Sequence, residues 1–453
     1  METKQETPTK SDLPLDGVKV AAITVVWAGP HCTQVLAEWG AEVIRVEPVD
    51  AIQPYSRGAE RIAPREQLIE MANNGITLSA YPDFEPGDEP WNRNPGFNSH
   101  SRNKKSMACN IMTSEGKQAF LKLIKEVDVL VENNVPTTIE KAGITYDTLK
   151  EINPRLIMLR MPAYGLSGPY KGYRAFGTHV EAMIGHHYLR GYPDGTPDQT
   201  GEAFTADAFA GLLGATAITA ALRYRDLTGE GQQIEMPLAE GFLSNLGEFI
   251  LDFEMNDRVA GPQGNTHHSH APHGVFPTHG IDQWIAIDVS EDSEWWTLCE
   301  VLHADLLQKD TKFATQLSRF NNRDALHKEL AKFTVEYDKN ELFQQLQLAG
   351  VCAGPIMDDV ELLNSPQLIN RGFFEELDSP VIGNYRYPGI MTKWINTPNT
   401  LRTAPPRLGE HSEEIYKELL GYSDLEYKNL LEQGHVGDRY PDHLLPEFLR
   451  APQ

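Results

Sequence analysis

A mostly parallel, doubly wound α/β domain, built from both ends of the chain and interrupted by a smaller middle domain, is the architecture this sequence predicts. Three observations point to it. Apolar strand-like runs alternate with helical periodicity through the first half, no internal repeat is present, and a βα rhythm returns from residue 340 after a less regular middle. The length of 453 residues suits two or three domains with a real core. We place the domains at 13–225 (the first part of the large domain), 226–335 (the small domain with its linkers) and 336–453 (the return to the large domain, with C-terminal helices).

Residues 1–12 are polar and read as a loose tail rather than a signal peptide. Val18 to Val26 reads as a buried strand, Pro30 to Trp39 as a helix stopped by Gly40, and Glu42 to Glu47 as a strand. A polar stretch rich in Pro, Gly and Asn covers 54–100. Ser114 then opens a helix reaching Val127, Asp128 to Glu132 is a strand, two short helices fill 136–152, and Leu156 to Met161 is another strand.

The segment Thr205-Ala206-Asp207-Ala208-Phe209-Ala210-Gly211-Leu212-Leu213-Gly214-Ala215 is a helix running from 206 to about 224, with Gly229 as a stop. Its one acid, Asp207, lies in the first turn, where free N–H groups and the helix dipole favour a carboxylate. Read alone, such an acid is a helix cap. The small residues behind it let another backbone or a thin ligand chain come close. Gln232 to Met236 reads as a strand, Pro237 to Glu254 as a long amphipathic helix, 261–274 as a loop, Trp284 to Val289 as a strand and Glu291 to Leu302 as a helix.

The chain has 40 Lys+Arg against 64 Asp+Glu, a formal charge of −24, which argues against a partner such as nucleic acid or an anionic membrane. Small polyanionic ligands remain compatible where cations gather locally. The longest apolar run, Val20 to Gly29, is too short to span a bilayer. Cys32, Cys109, Cys299 and Cys352 are scattered without the paired spacing of a zinc site or disulfide framework, as expected of reduced thiols in a cytoplasmic protein.

Several blocks occur in one order. They are Leu15-Asp-Gly-Val-Lys-Val20, Ala28-Gly-Pro-His-Cys-Thr-Gln34 with Gly40-Ala-Glu-Val-Ile-Arg-Val-Glu-Pro48, Arg102-Asn-Lys-Lys-Ser106 and Asp128-Val-Leu-Val-Glu-Asn133. Asn153-Pro-Arg-Leu156, Tyr164-Gly-Leu-Ser-Gly-Pro169, Leu227-Thr-Gly-Glu-Gly-Gln232 and Ala404-Pro-Pro-Arg-Leu-Gly-Glu-His411 continue the series. Together, from about residue 13 to 435, the chain resembles the family III CoA-transferases, the group of formyl-CoA, carnitine and benzylsuccinate CoA-transferases.

The resemblance implies a Rossmann-like large domain, a smaller α+β domain and an interlocked dimer, with a paralogous subunit as partner in some heteromeric members. It implies transfer of CoA from a succinyl-CoA-like donor to a free acid, with coenzyme A and acyl-CoA as substrates and no permanently bound cofactor. The family's nucleophilic aspartate falls on Asp207, which would become an anhydride and then an aspartyl-CoA thioester.

By position in the blocks, Trp27 and Ala28 flank the pantetheine end, while Cys109, Met112, Asn133 and Asn134 meet the nucleotide end. Lys141 and Arg174 stand at basic CoA contacts; their alternative is a solvated surface charge, and that of Cys109 and Met112 is core packing. Backbone N–H groups near the helix start and in loop 261–274 are candidates for stabilising the oxyanions.

Departures from the family pattern narrow the substrate. Trp27 stands where formyl-CoA transferases have a glutamine, and the His-rich 265–273 replaces their polyglycine loop, which argues against oxalate and formate. Gly177 falls where many relatives carry an acid, and Glu181 is a candidate pocket residue, with a helix-surface carboxylate as its alternative. His267, His268, His270 and His273 invite a metal reading, but no carboxylate or cysteine accompanies them, so no metal is expected and His267 is assigned to the acyl pocket.

Two other functions compete. One is an acyl-CoA racemase or epimerase using an Asp–His pair, against which Phe176 occupies the histidine's place and His179 lies three residues later. The other is a CoA-binding subunit of a heteromeric transferase. A nicotinamide-dependent dehydrogenase is disfavoured because no Gly-x-Gly-x-x-Gly follows the first strand.

Overall fold

The computed structural model describes residues 13–53, 56–58, 62–75, 81–201 and 204–450; the expected N-terminal tail 1–12 lies outside the described residues. The chain forms two compact units. The first comprises the described residues within 1–184, 202–248 and 372–453, the second those within 185–201 and 249–371.

In the first unit, six parallel strands are ordered β3-β2-β1-β4-β5-β6. They are β1 (Lys19–Ile23), β2 (Glu42–Glu47), β3 (Lys104–Ala108), β4 (Val129–Glu132), β5 (Ile157–Arg160) and β6 (Gln232–Glu235). The order reverses between β1 and β4, which pair Val20 with Val129. Residues of alternate orientation feed two cores. Ala21, Ile44, Met107, Leu130 and Met158 face one side, with Phe120, Leu123 and the C-terminal Leu408, Tyr416 and Tyr427. Val20, Val43, Val131 and Leu159 face the other, with Leu36, Ala210 and Ile218. Both faces are thus covered, which accounts for near-continuous apolar strands rather than alternating ones.

Helices α1 (Ala28–Glu38), α2 (Ser114–Glu126), α3 (Pro136–Ala142), α4 (Tyr146–Ile152) and α6 (Thr205–Thr228) follow the expected spans within a few residues at each end, and α5 (Gly177–Met183) is added to them. Gly229 ends α6 at φ +83°, the left-handed stop its position predicts. By length and composition α6 could cross a membrane, yet half of its most apolar window is buried inside the protein, as in a core helix.

Two expectations are corrected, and elements appear where the sequence reading assigned none. Lys104–Ala108 is a strand, and the 54–100 stretch contains the helices Arg65–Asn73, Pro90–Arg93 and Pro95–Ser101. The long helix from 237 is broken into Leu238–Leu243, a 3-10 turn at Ser244–Leu246, and Gly247–Asn256. Gly350–Ile356 does not return to the large sheet: Cys352–Pro355 pairs antiparallel with Trp284–Asp288, so the first unit resumes at 372 rather than 336.

The second unit is α+β. Its strands β7 (His273–Pro277), β8 (Trp284–Asp288) and β9 (Cys352–Pro355) form one antiparallel sheet in that order. The sheet packs with helices around Ile285, Ile287, Trp295, Leu298, Leu330 and Leu346.

Candidate active site

In an open parallel sheet, ligands meet the carboxyl ends of the strands where the strand order reverses. Here that point lies between β1 and β4, and Asn133, just past β4, closes it. Its Oδ1 accepts from Val25 N at 2.9 Å and its Nδ2 donates to Val25 O at 2.8 Å. Asn134 Nδ2 donates to Ile23 O at 2.7 Å. The side chains of both asparagines are therefore spent on holding the β1–α1 turn, where Val26 takes φ +60°. A β-branched residue in the left-handed region costs about 1–3 kcal/mol and persists only when its surroundings enforce it.

That turn delivers Trp27 and Ala28. Trp27 is half-buried, its ring 5.1 Å from His100 and 4.9 Å from Phe204 between centroids. Phe204 is itself left-handed, at φ +50°, and opens α6. Beneath, Lys104 Nζ donates to Pro30 O at 2.8 Å and Thr33 Oγ1 at 2.9 Å, fixing the first turn of α1 from inside the protein. Burial and the nearby Arg45 push this ammonium well below its usual range.

α1 and α6 lie in close contact because α6 carries small residues. A Cβ at Gly211 would stand 2.7 Å from His31 Nδ1, and one at Gly214 3.1 Å from Cys32 Sγ. The small-residue run thus admits a second helix. Asp207, one turn before Gly211, is 5% exposed, and the backbone N–H groups of Gly177 and Ala28 lie beside its carboxyl. Burial raises its carboxyl to about 6; the Gly177 N–H opposes the shift, the charge of Glu181 adds to it, and the Ala28 N–H opposes it. Glu181 is fully buried, and its Oε1 accepts Ala206 N at 3.0 Å.

The other candidates fall into groups. Cys109 is a core residue, 1% exposed, with its thiol donating to Gly116 O at 3.2 Å and burial pushing its pKa up to about 12. Met112 is exposed, as are Lys141 and Arg174. His179 is exposed, and its Nδ1 accepts Phe176 N at 3.3 Å.

His267 belongs to the second unit, its ring centroid 4.1 Å from His268, 3.9 Å from His270 and 5.3 Å from His273. A carboxylate does accompany this cluster: His270 Nε2 pairs with Asp288 Oδ1 at 2.7 Å, a partner 18 residues away that the loop sequence does not reveal. Among the described residues, no group of three or more His, Cys, Asp and Glu is arranged to hold a metal ion.

Sequence reasoning missed Phe204, His100 and Lys104. Their signal lies in tertiary packing, apart from Lys104, which sat in a quoted block without a role.

Comparison with known proteins adds a name to this geometry. The family description CoA-transferase family III matches residues 15–412. The β subunit of a succinyl-CoA–L-malate CoA-transferase from Chloroflexus aurantiacus is 31% identical over 427 residues, 93% of this chain and 98% of that protein. A succinate–glutarate CoA-transferase from Agrobacterium fabrum is 30% identical, covering 90% of this chain and 96% of its own. Among solved structures, a CAIB/BAIF family protein from Brucella suis superposes with a TM-score of 0.75 at 28% identity, covering 90% of this chain and 99% of that one.

Proposed function

The chain belongs to CoA-transferase family III and is a CoA-transferase; from that premise we propose that it moves coenzyme A from a succinyl-CoA-like donor to a free carboxylic acid through an aspartyl-CoA thioester on Asp207. The observation that carries this reading is a buried carboxylate with two backbone N–H groups beside it at the carboxyl edge of the sheet. Burial strips water from the acid and so makes its oxygen a better nucleophile.

The chemistry balances without ATP. An Asp207 oxygen bonds to the donor's carbonyl carbon, the C–S bond breaks, and CoA leaves as thiolate from a mixed anhydride. The thiolate attacks Cγ of Asp207 and expels the donor's acid as a free carboxylate. The acceptor carboxylate then attacks the same Cγ, releasing the thiolate, which captures the acceptor's acyl carbon and restores Asp207. In both attacks at Cγ the developing oxyanion lies on an oxygen of Asp207 itself. The N–H groups of Ala28 and Gly177, which lie beside that carboxyl, are the candidates to stabilise it.

We assign Trp27 and Ala28 to the pantetheine end, and Met112, Lys141 and Arg174 to the nucleotide end. Asn133, Asn134 and Cys109 shape the backbone there through the bonds described above. The acceptor is bulkier than formate or oxalate, a reading supported by the Trp27, Phe204 and His100 rings beside the helix start. The relative named as a β subunit favours a second arrangement, in which this chain works in a dimer with a paralogous partner.

Mass spectrometry of the protein incubated with succinyl-CoA tests the proposal. A CoA-sized adduct is expected on the peptide containing residue 207, labile to hydroxylamine. Transfer without any such adduct sinks the covalent route, and transfer that requires a co-expressed paralogue selects the heteromer.

A further inference from the structure

Four rings gather beside the start of α6. Trp27 immediately precedes Ala28, whose N–H lies beside the Asp207 carboxyl, and its ring is 4.9 Å from Phe204 and 5.1 Å from His100 between centroids. His31, a turn further along α1, stands 6.2 Å from His100. Of the four rings, the two imidazoles alone carry nitrogens that can accept a hydrogen bond. His31 packs its Nδ1 edge against Gly211, within the contact between α1 and α6.

His100 lies in the last turn of the helix Pro95–Ser101. Its Nδ1 is 3.0 Å from Gly96 O and 2.9 Å from Ser99 Oγ, and Ser99 Oγ is 2.9 Å from Gly96 O. One placement of hydrogens suits all three contacts. A carbonyl oxygen can only accept, so Nδ1 carries a hydrogen for Gly96 O, and the Ser99 hydroxyl gives its own to the same oxygen. A lone pair on Nδ1 would instead face the lone pairs of that carbonyl. Burial holds the ring's pKa down to about 3; Gly96 O opposes the shift, while Lys104, His31 and Arg102 add to it. The neutral ring therefore keeps its lone pair on Nε2. Among the described residues nothing bonds to Nε2, and the atom is not sealed from solvent.

We propose that His100 is a specificity-determining residue whose Nε2 accepts a hydrogen bond from a hydroxyl on the incoming acid, so that the acceptors this enzyme prefers are hydroxy acids. The inference rests on the CoA-transfer reading given above and names the substrate class of that site. A carboxylate oxygen brings no proton to a lone pair. An ammonium group brings one, but with a positive charge, in a space where Lys104 and Arg102 already disfavour a charge on His100 itself. An alkyl chain displaces water from the lone pair and returns nothing. A hydroxyl supplies the proton without the charge.

The test uses the full-length enzyme with succinyl-CoA as donor and two matched pairs of acceptors, mandelate against phenylacetate and 3-hydroxy-3-phenylpropionate against 3-phenylpropionate. The ratio of kcat/KM, hydroxy acid over parent, is expected to exceed about 10 in at least one pair and to fall about tenfold or more in His100→Phe, which keeps a ring and removes the lone pair. His100→Gln returns an acceptor oxygen and should recover part of the ratio. A purely structural role lowers both members of a pair together. An unmoved ratio overturns the proposal, as does a wild-type enzyme that shows no preference for the hydroxy acid in either pair.

The ring itself is read by ¹⁵N NMR of the resting protein carrying labelled histidine, with His100→Gln or His100→Phe assigning the signal. Nε2 is expected to resonate as an unprotonated nitrogen at pH 7. A hydrogen on Nε2, on its own or together with one on Nδ1, overturns the proposal even where the variants lose activity. Transfer without an adduct on residue 207 counts against the covalent route instead, because the ratio between paired acids is read either way.

Discussion

The Cβ that any residue other than glycine would carry at position 177 lies 2.0 Å from Oδ2 of Asp207. Gly177 is therefore required by the acid and not by its own backbone, since it begins a helix in which alanine would be favourable. Gly177→Ala should melt no lower than wild type and lose about 10²-fold in kcat, because the methyl group turns the carboxylate away from its donors. Stopped-assay kinetics beside a melting curve check this; full activity in the alanine variant would mean that the carboxylate is not held as described.

Asp207→Ala should reduce transfer by about 10⁴-fold or more, as expected when a nucleophile is removed. CoA binding, measured by calorimetry, should survive. Turnover that persists in this variant refutes the assignment.

The raised pKa of Asp207 makes two statements about pH. Its carboxylate is the reactive form, so kcat/KM should decline on the acid side with a midpoint near the value of about 6 that burial imposes. For stability, the native state holds a proton that the unfolded state has already lost between the ordinary 3.8 and about 6. Stability contributed by this group therefore falls as pH rises through that window and stays reduced above it. Asp207→Asn should be more stable than wild type at pH 8 by about 1–3 kcal/mol, with the gap closing by pH 4. Urea denaturation at the two pH values measures it, and a pH-independent gap contradicts the burial argument.

Glu47 supplies a contrast at the end of β2. Arg57 Nη2 donates to its Oε1 at 2.7 Å, Arg45 Nε to its Oε2 at 2.9 Å, and Ser106 Oγ to its Oε1 at 2.7 Å. Burial pushes this carboxyl up, but Arg57 and then Arg45 outweigh it and hold it at about 2. Its contribution is present above the ordinary 4.5 and is lost as pH falls toward about 2. Glu47→Gln leaves two buried guanidinium groups short of a counter-charge and should cost about 3–5 kcal/mol at neutral pH. Chemical denaturation decides; a cost below the error of the method would show that the arginines find other partners.

Trp27→Gln replaces the aromatic wall by an amide of smaller volume. The ratio of kcat/KM for a bulky acid over a small one should fall by about 10–200-fold, the range a changed pocket contact commands. Competition between two acceptors in one reaction reads the ratio directly, and an unchanged preference places acceptor selection elsewhere.

Much of the first unit was legible because a strand buried on both faces leaves an apolar run, and because Asp207 combines an acid with a tract of small residues. β3 was not legible: Lys-Lys-Ser-Met-Ala reads as polar until Lys104 finds Pro30 O and Thr33 Oγ1. The boundary near 336 was misread because Cys352–Pro355 resembles a parallel strand locally while its pairing is antiparallel. The contact of Glu181 with Ala206 could not be read from spacing, since the two lie 25 residues apart. The left-handed backbone at Val26 and Phe204 carries no sequence signal at all, because neither residue favours it.

The two amides beside Asp207 come from residues 28 and 177, on opposite sides of most of the sheet-forming chain. A polypeptide that has folded only its first three strands already possesses one amide but lacks both the acid and the second. Under the proposed role of Asp207, reactivity toward thioesters thus awaits the docking of α5 and α6 on the sheet.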